Sequence, residues 1–465
     1  MKQIHIIMMC LVTIMLAGGF TGGTEKKPVQ LCRTRHPLSF NPQPGNPNKL
    51  SSFIPHDVDF VQLQNGYSTL TAECQTTFDY YSWQLFVALN WPANPNGTPM
   101  PSLTSSNSAP RVWEFYTDPK DVFNPAHTKK LQLLANAHGK DILTMMFKND
   151  LPDTINGYLQ ALPQDPLIDR NLNFVMYEVR VNKDWVNYAT KNRLNTIPGQ
   201  QRFVDSGKVV MFTTGFYSDT THNKGGRVGA MEIKAAWRIL DTTKGDDPTR
   251  YYTKQVVIYM DSSHTTNGKP LIINALVGLV GFHVNHYTDT KGSDGIWTTF
   301  EQVDNAPAAP VTPGDTMWYS FYNQGCTDCP VNTPPSLIDS QKVYKWSPGP
   351  PYASMYAYDG KYGTQVERAD SIFYATEKVN AIWRKKLKGT IWANYKLIGT
   401  QWLNAEDSRP GDILGIPPQL TNTVLETYIQ GKPMGSCMNC HGFATGAVKK
   451  LNSNLSFLLG HATGK

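Results

Sequence analysis

Cys437-Met438-Asn439-Cys440-His441 sets two thiols three residues apart, with an imidazole directly after the second. This is the C-x-x-C-H spacing at which haem c is attached. The chemistry needs these residue types. Each thiol adds to one vinyl group of the porphyrin, and the histidine, one position on, lies under the ring as the proximal ligand to iron. Competing chemistries fit less well. A structural zinc site takes four ligands, and Cys437, Cys440 and His441 supply three with no fourth close by. A thioredoxin-like redox pair follows a strand, whereas a helix-like run precedes this motif. The residues therefore imply one covalent haem c on Cys437 and Cys440, with His441 on the iron.

The position of the motif bears on what surrounds it. A small cytochrome c domain carries its attachment motif near its start and a methionine ligand far downstream. Here only Gly442 to Lys465 follow His441, with no methionine, and His461 is the one conventional ligand in that tail. The expectation is a short C-terminal haem cap packed on a larger body that supplies the other face. Distal candidates are His283, His286, Met355, Met434 and His461. His283 and His286 stand at i and i+3 of an apolar, strand-like run. Side chains alternate along a strand, so at most one of the two can face the haem. Met438 lies inside the attachment loop and is poorly placed. With no sixth ligand, the iron would be open to small molecules.

Composition sets the compartment. The chain starts Met1-Lys2, runs apolar from Ile6 to Leu16 and continues Ala17-Gly18-Gly19, the order of a secretory signal peptide with cleavage after Gly19 or Gly23. Cys10 is then discarded, and no other run is long enough to span a membrane. An exported, periplasmic protein is expected. Of seven cysteines, setting aside Cys10 and the motif pair leaves Cys32, Cys74, Cys326 and Cys329. In an oxidising compartment these imply two disulfides, with Cys32–Cys74 and the local Cys326–Cys329 favoured among three pairings. Cys326-Thr327-Asp328-Cys329 is followed by Pro330, not histidine, so it is no second haem site. A net charge of +6, spread along the chain, gives no reason to expect nucleic acid.

The elements that must position the motif read as an α+β protein in three parts: 1–23 a signal peptide, 24–415 a β-rich body with flanking helices, and 416–465 a short helical haem c attachment segment. Phe78, Tyr81, Leu85, Phe86 and Leu89 recur at helical spacing and predict a buried helix over 77–91, closed by Pro92. Helices are also expected over 178–191, 370–387 and 421–430. Strands are expected near 111–116, 208–213, 229–240, 251–259, 271–288, 296–303 and 391–402. Those at 271–288 and 296–303 form a hairpin at the centre of a sheet, with Trp297, Thr299 and Glu301 on one face. The Pro-, Gly- and Asn-rich stretch 305–351 is a long excursion, and 24–75 an extended arm.

The chain resembles a group of exported bacterial proteins described only as a cytochrome c family. The resemblance rests on Ser82-Trp83-Gln84 through Pro92, Lys234-Ala235-Ala236-Trp237-Arg238, Gly278 through His283, Trp297 to Pro307, Gly399-Thr400-Gln401-Trp402 and Leu425-Glu426-Thr427-Tyr428. It implies a haem and export, and assigns roles only to Cys437, Cys440 and His441. Two functions follow. One is a periplasmic mono-haem electron carrier with a redox partner protein. The other is a haem-dependent oxidoreductase of peroxidase or oxygenase type, whose body shapes a pocket for a small-molecule substrate.

Overall fold

A computed structural model of the protein describes residues 33–34, 50–58, 60–62, 72–123, 141–144, 157–160, 164–217, 226–289, 295–338, 344–403 and 415–464. The expected signal peptide and Cys32 lie outside them. The architecture is α+β, built on one large sheet.

The sheet runs β10 (Gly415–Ile416), β9 (Tyr395–Leu403), β8 (Ile296–Gln302), β7 (Leu271–His286), β5 (Met231–Ile239) and β4 (Met176–Val181), all antiparallel. β7 is the organising strand. Its residues 277–286 pair with β5 along one edge. Along the other edge, 271–278 pair with β6 (Thr253–Met260) and 281–286 with β8. β6 and β8 thus share that edge end to end, which explains why β7 is sixteen residues long. β3 (Asp141–Thr144) adds a parallel strand to β6, and β1 (Arg33–Thr34) pairs with β2 (Phe60–Gln62) apart from the sheet.

One face of the sheet is covered by α1 (Ala72–Leu89) and the later helix α6 (Tyr374–Lys386). Because α1 is sandwiched, it is apolar or hydrogen-bonded nearly all round. Trp83 stacks on Trp383 of α6, and Phe86 stacks on Phe300 of β8. Each fully buried ring of this kind contributes about 1.5–3 kcal/mol. The polar residues of α1 are satisfied in place: Ser82 bonds Thr298 and Thr400, and Asp79 accepts from Gln75, Thr376 and Thr400.

The opposite face carries the C-terminal segment. Alternation places Lys234 and Ala236 of β5, Gly281 and His283 of β7, Trp297, Thr299 and Glu301 of β8, and Gly399 and Gln401 of β9 toward it. At Gly281 the approach is close enough that a Cβ would come within 2.6 Å of Val424. A second cluster, below this face, packs Leu451, Leu458 and Leu459 of the tail on Trp185, Ala189 and Phe203. Those come from α3 (Lys183–Lys191) and α4 (Ile197–Asp205), which follow the short α2 (Pro119–Phe123). The only other regular turn of helix described inside the long excursion is α5 (Pro335–Ile338).

Several expectations change. Residues 111–116 form a 3-10 turn at Val112–Phe115, because the Glu114 carboxylate and the Arg111 carbonyl take up local backbone N–H groups. The stretch 178–191 is a strand followed by a helix, divided at Asn182, whose side chain caps α3 by accepting from Trp185 N. Residues 208–213 alternate, with Val210 and Phe212 buried and Val209 and Met211 exposed, but make no ladder. Residues 421–430 contain one 3-10 turn, Thr427–Ile429, in place of a helix. In 391–402 a 3-10 turn, Ile391–Asn394, precedes β9. On α6, Ala375, Val379 and Trp383 face the core, whereas Ile382 is exposed.

Candidate functional site

The motif forms a single helical turn, α7 (Cys437–His441). Ser436 caps it, its hydroxyl accepting from Asn439 N, and Gln401 of β9 holds it to the sheet. The Gln401 amide donates to Ser436 Oγ (2.9 Å) and to Pro417 O (2.6 Å), and its oxygen accepts from Met438 N (2.8 Å). Gln401 thereby satisfies an N–H of the first turn that has no partner within the helix. Met438 is fully buried and anchors the turn. Cys437, Cys440 and His441 lie at i, i+3 and i+4, so they share one face of it. Both thiols are half-buried and free.

His441 is tightly oriented. Its Nδ1 lies 2.7 Å from the carbonyl of Leu455, which can only accept, so Nδ1 carries the proton and Nε2 the lone pair. The ring packs between Trp297 (4.4 Å between centroids) and Phe457 (4.9 Å). Burial lowers its pKa to about 4, against the Leu455 hydrogen bond that raises it, so the ring is neutral at pH 7. Burial also pushes the Cys440 thiol up to about 11 and that of Cys437 well above its usual range. Neither is a thiolate at neutral pH, which disfavours a nucleophilic or dithiol redox centre.

The sheet opposite brings Lys234 and His283 together, directly across from one another on β5 and β7, with Glu426 from the overlying segment. The loop carrying Glu426 is fixed by Asn422 to Thr299 Oγ1 and Phe300 O (2.9 Å each), by Thr423 N to Glu301 (2.5 Å), and by Tyr177 to Val424 O (2.9 Å). Burial raises Glu426 to about 8, with Lys234 pulling the other way. Burial lowers Lys234, and the Lys234 ammonium lies 4.9 Å from the Tyr177 ring centroid. His283 is lowered well below 6.5 by burial first, then by the charges of Lys234 and His441. Its Nε2 lies 3.4 Å from Glu426, without the alignment of a hydrogen bond. Sequence reading did not single out Lys234 and Glu426 as site residues. A lysine inside the otherwise apolar run Ile233 to Trp237 was the available signal.

The remaining sequence candidates divide clearly. His286 points to the α1 face, where Tyr81 OH takes Nδ1 and Val228 O accepts from Nε2 at 2.6 Å. His461 is buried against Phe123. Met355 is exposed on a 3-10 turn, Ser354–Tyr356, that packs on Phe174 and Tyr344 rather than on the motif. Met434 is half-buried in the turn before Ser436. Glu301 is buried and paired with Arg368, a structural role. Cys326–Cys329 is a disulfide, and Cys74 is disulfide-bonded. Among the described residues no group of three or more His, Cys, Asp or Glu side chains is arranged to hold a bare metal ion. No helix among them is long and apolar enough to cross a membrane. Comparison with family models, curated proteins and solved structures finds no match to this chain.

Proposed function

We propose that this chain is an exported mono-haem c redox protein that transfers electrons through a haem attached at Cys437 and Cys440. The observation that carries the reading is His441. Its Nδ1–H is engaged by a backbone carbonyl, the arrangement that fixes tautomer and ring orientation in metal-ligating histidines, and its Nε2 is left as the donor. Two unpaired thiols share its helix face. Phe457 (38 % exposed) packs on it, and Phe443 (72 % exposed) follows two residues on, apolar surface that a porphyrin would cover.

Haem c held there supplies one-electron transfer at its iron. The protein's part is to hold the proximal imidazole neutral and fixed, to bury Met438 so that the turn cannot swing, and to lay the motif against a rigid sheet through Gln401. A fixed coordination environment keeps reorganisation small, which suits electron transfer better than bond-making chemistry. The alternative, a haem-dependent oxidoreductase, draws on Lys234 and Glu426, two ionisable groups beside the motif able to move protons.

The optical spectrum of the purified protein, oxidised and reduced, with and without carbon monoxide, separates these readings. Sharp low-spin bands unmoved by carbon monoxide support the carrier. A high-spin spectrum that shifts with carbon monoxide supports the oxidoreductase. A colourless protein, or colour unaltered in the Cys437→Ala/Cys440→Ala variant, refutes both.

A further inference from the structure

We infer that His283 is the sixth ligand, occupying the distal side of the iron. The inference rests on the haem reading above and adds an assignment that the motif does not contain.

The pleat of β7 separates its two histidines. Successive side chains alternate, so His283 faces the C-terminal segment and His286 faces α1. Both nitrogens of His286 are already engaged, by Tyr81 and Val228, on the wrong side of the sheet. His461 is turned to Phe123, Met355 to another part of the surface, and Met438 into the protein. Among the described candidates that leaves His283 and Met434.

His283 has what a ligand needs. It sits on a strand paired on both sides, with Lys234 opposite on β5 and Thr299 opposite on β8. Thr299, its partner on β8, stands two residues from Trp297 on the same face, and Trp297 packs on His441 at 4.4 Å between ring centroids. Its Nε2 is buried and makes no hydrogen bond among the described residues, its polar neighbour being the Glu426 carboxylate at 3.4 Å out of alignment, and the indole N–H of Trp297, the residue that packs on His441, makes none either. A buried polar atom left without a partner costs roughly 1–3 kcal/mol, so native structures retain one where something else completes it. Three residues on the sheet face that meets the motif carry such atoms, His283, Asn285 and Trp297, and of these only His283 offers a nitrogen lone pair of the kind that ligates iron. Met434, by contrast, lies in the turn that leads into the motif, three residues before Cys437, and not on the sheet across from it.

The test replaces His283 in the haem-loaded protein and reads spectra. Wild type is expected to be low-spin. His283→Ala is expected to keep the same haem content per chain by pyridine haemochrome, to become high-spin, and to gain a carbon monoxide adduct. His283→Met, which restores a ligating thioether, is expected to return to low-spin with a raised midpoint potential, because methionine ligation raises the potential relative to histidine. A merely structural role for His283 would not give that rescue. Low-spin bands persisting in His283→Ala, with loss of them in Met434→Leu, would overturn the assignment in favour of Met434. A high-spin wild type would overturn it outright while leaving the covalent haem intact. If wild type carries no covalent haem, the parent reading fails first. Should His283→Ala not fold, the His283→Met spectrum decides alone: an unchanged potential overturns the assignment.

Discussion

Replacing Gln401 by leucine should loosen the motif without disturbing the rest of the sheet. Leucine fills nearly the same volume, so the cavity contribution is small. Three partners are lost: Ser436 Oγ, Pro417 O and Met438 N. Pro417 is half-buried and can turn to water, and Ser436 still caps Asn439 N. Met438 N–H is left buried with no acceptor. One orphaned donor, at roughly 1–3 kcal/mol, plus one or two ordinary bonds at about 1 kcal/mol each, gives about 3 kcal/mol. That is a large share of the 5–15 kcal/mol typical of a whole domain, but it is concentrated on one turn. Hydrogen exchange followed by mass spectrometry should therefore show residues 436–442 exchanging roughly 100-fold faster, about 1.4 kcal/mol per decade, with far smaller changes in β7 and α1. Gln401→Glu, which keeps the acceptor for Met438 N, should fall between. Unchanged exchange at 436–442, or equal acceleration everywhere, would refute the anchoring role.

Three further predictions test the packing beneath the site. Gly281→Val should cost about 1–3 kcal/mol in chemical denaturation, since its Cβ would meet Val424 at 2.6 Å and Leu425 at 3.1 Å, whereas Gly349→Ala, with open space around it, should cost far less. Arg368→Met should cost about 3–5 kcal/mol, because it strands the buried Glu301 carboxylate that also holds Thr423 N. Burial raises Asp79 from 3.8 to about 7, so the folded chain binds its proton more tightly than the unfolded one. The stability it contributes is full below about pH 4 and lost as pH rises through about 7. Asp79→Asn should flatten that slope, which parallel melts of the two proteins from pH 4 to 8 would read.

Much of the body was legible because alternation is a local signal. β5, β6, β7 and β8 lie where β-branched and apolar residues alternate, and the placing of Trp297, Thr299 and Glu301 on one face follows from the pleat alone. So does the separation of His283 from His286. Misreadings arose where side chains compete for the backbone. Val424, Leu425 and Tyr428 are spaced as in a helix, but Asn422, Thr423 and Thr427 take hydrogen bonds that a helix would use internally. Residues 208–213 have the alternation of a strand, and nothing local tells whether a neighbouring strand exists. The motif was legible as such, since it is five consecutive residues, and so was its helical i, i+3, i+4 spacing. Its surroundings were not, because Lys234, His283 and Glu426 meet only through the register of β5 on β7 and the path of a loop nearly two hundred residues away in sequence from Lys234.

The most direct test of the account is the intact mass of the mature protein, recorded under denaturing and reducing conditions after thiol alkylation. The expected mass is that of the processed chain plus one haem, with Cys437 and Cys440 both protected from the alkylating reagent and the extra mass mapping to the peptide that contains them. A bare chain with alkylated Cys437 and Cys440, recovered from cells that mature other c-type haem proteins, would contradict it.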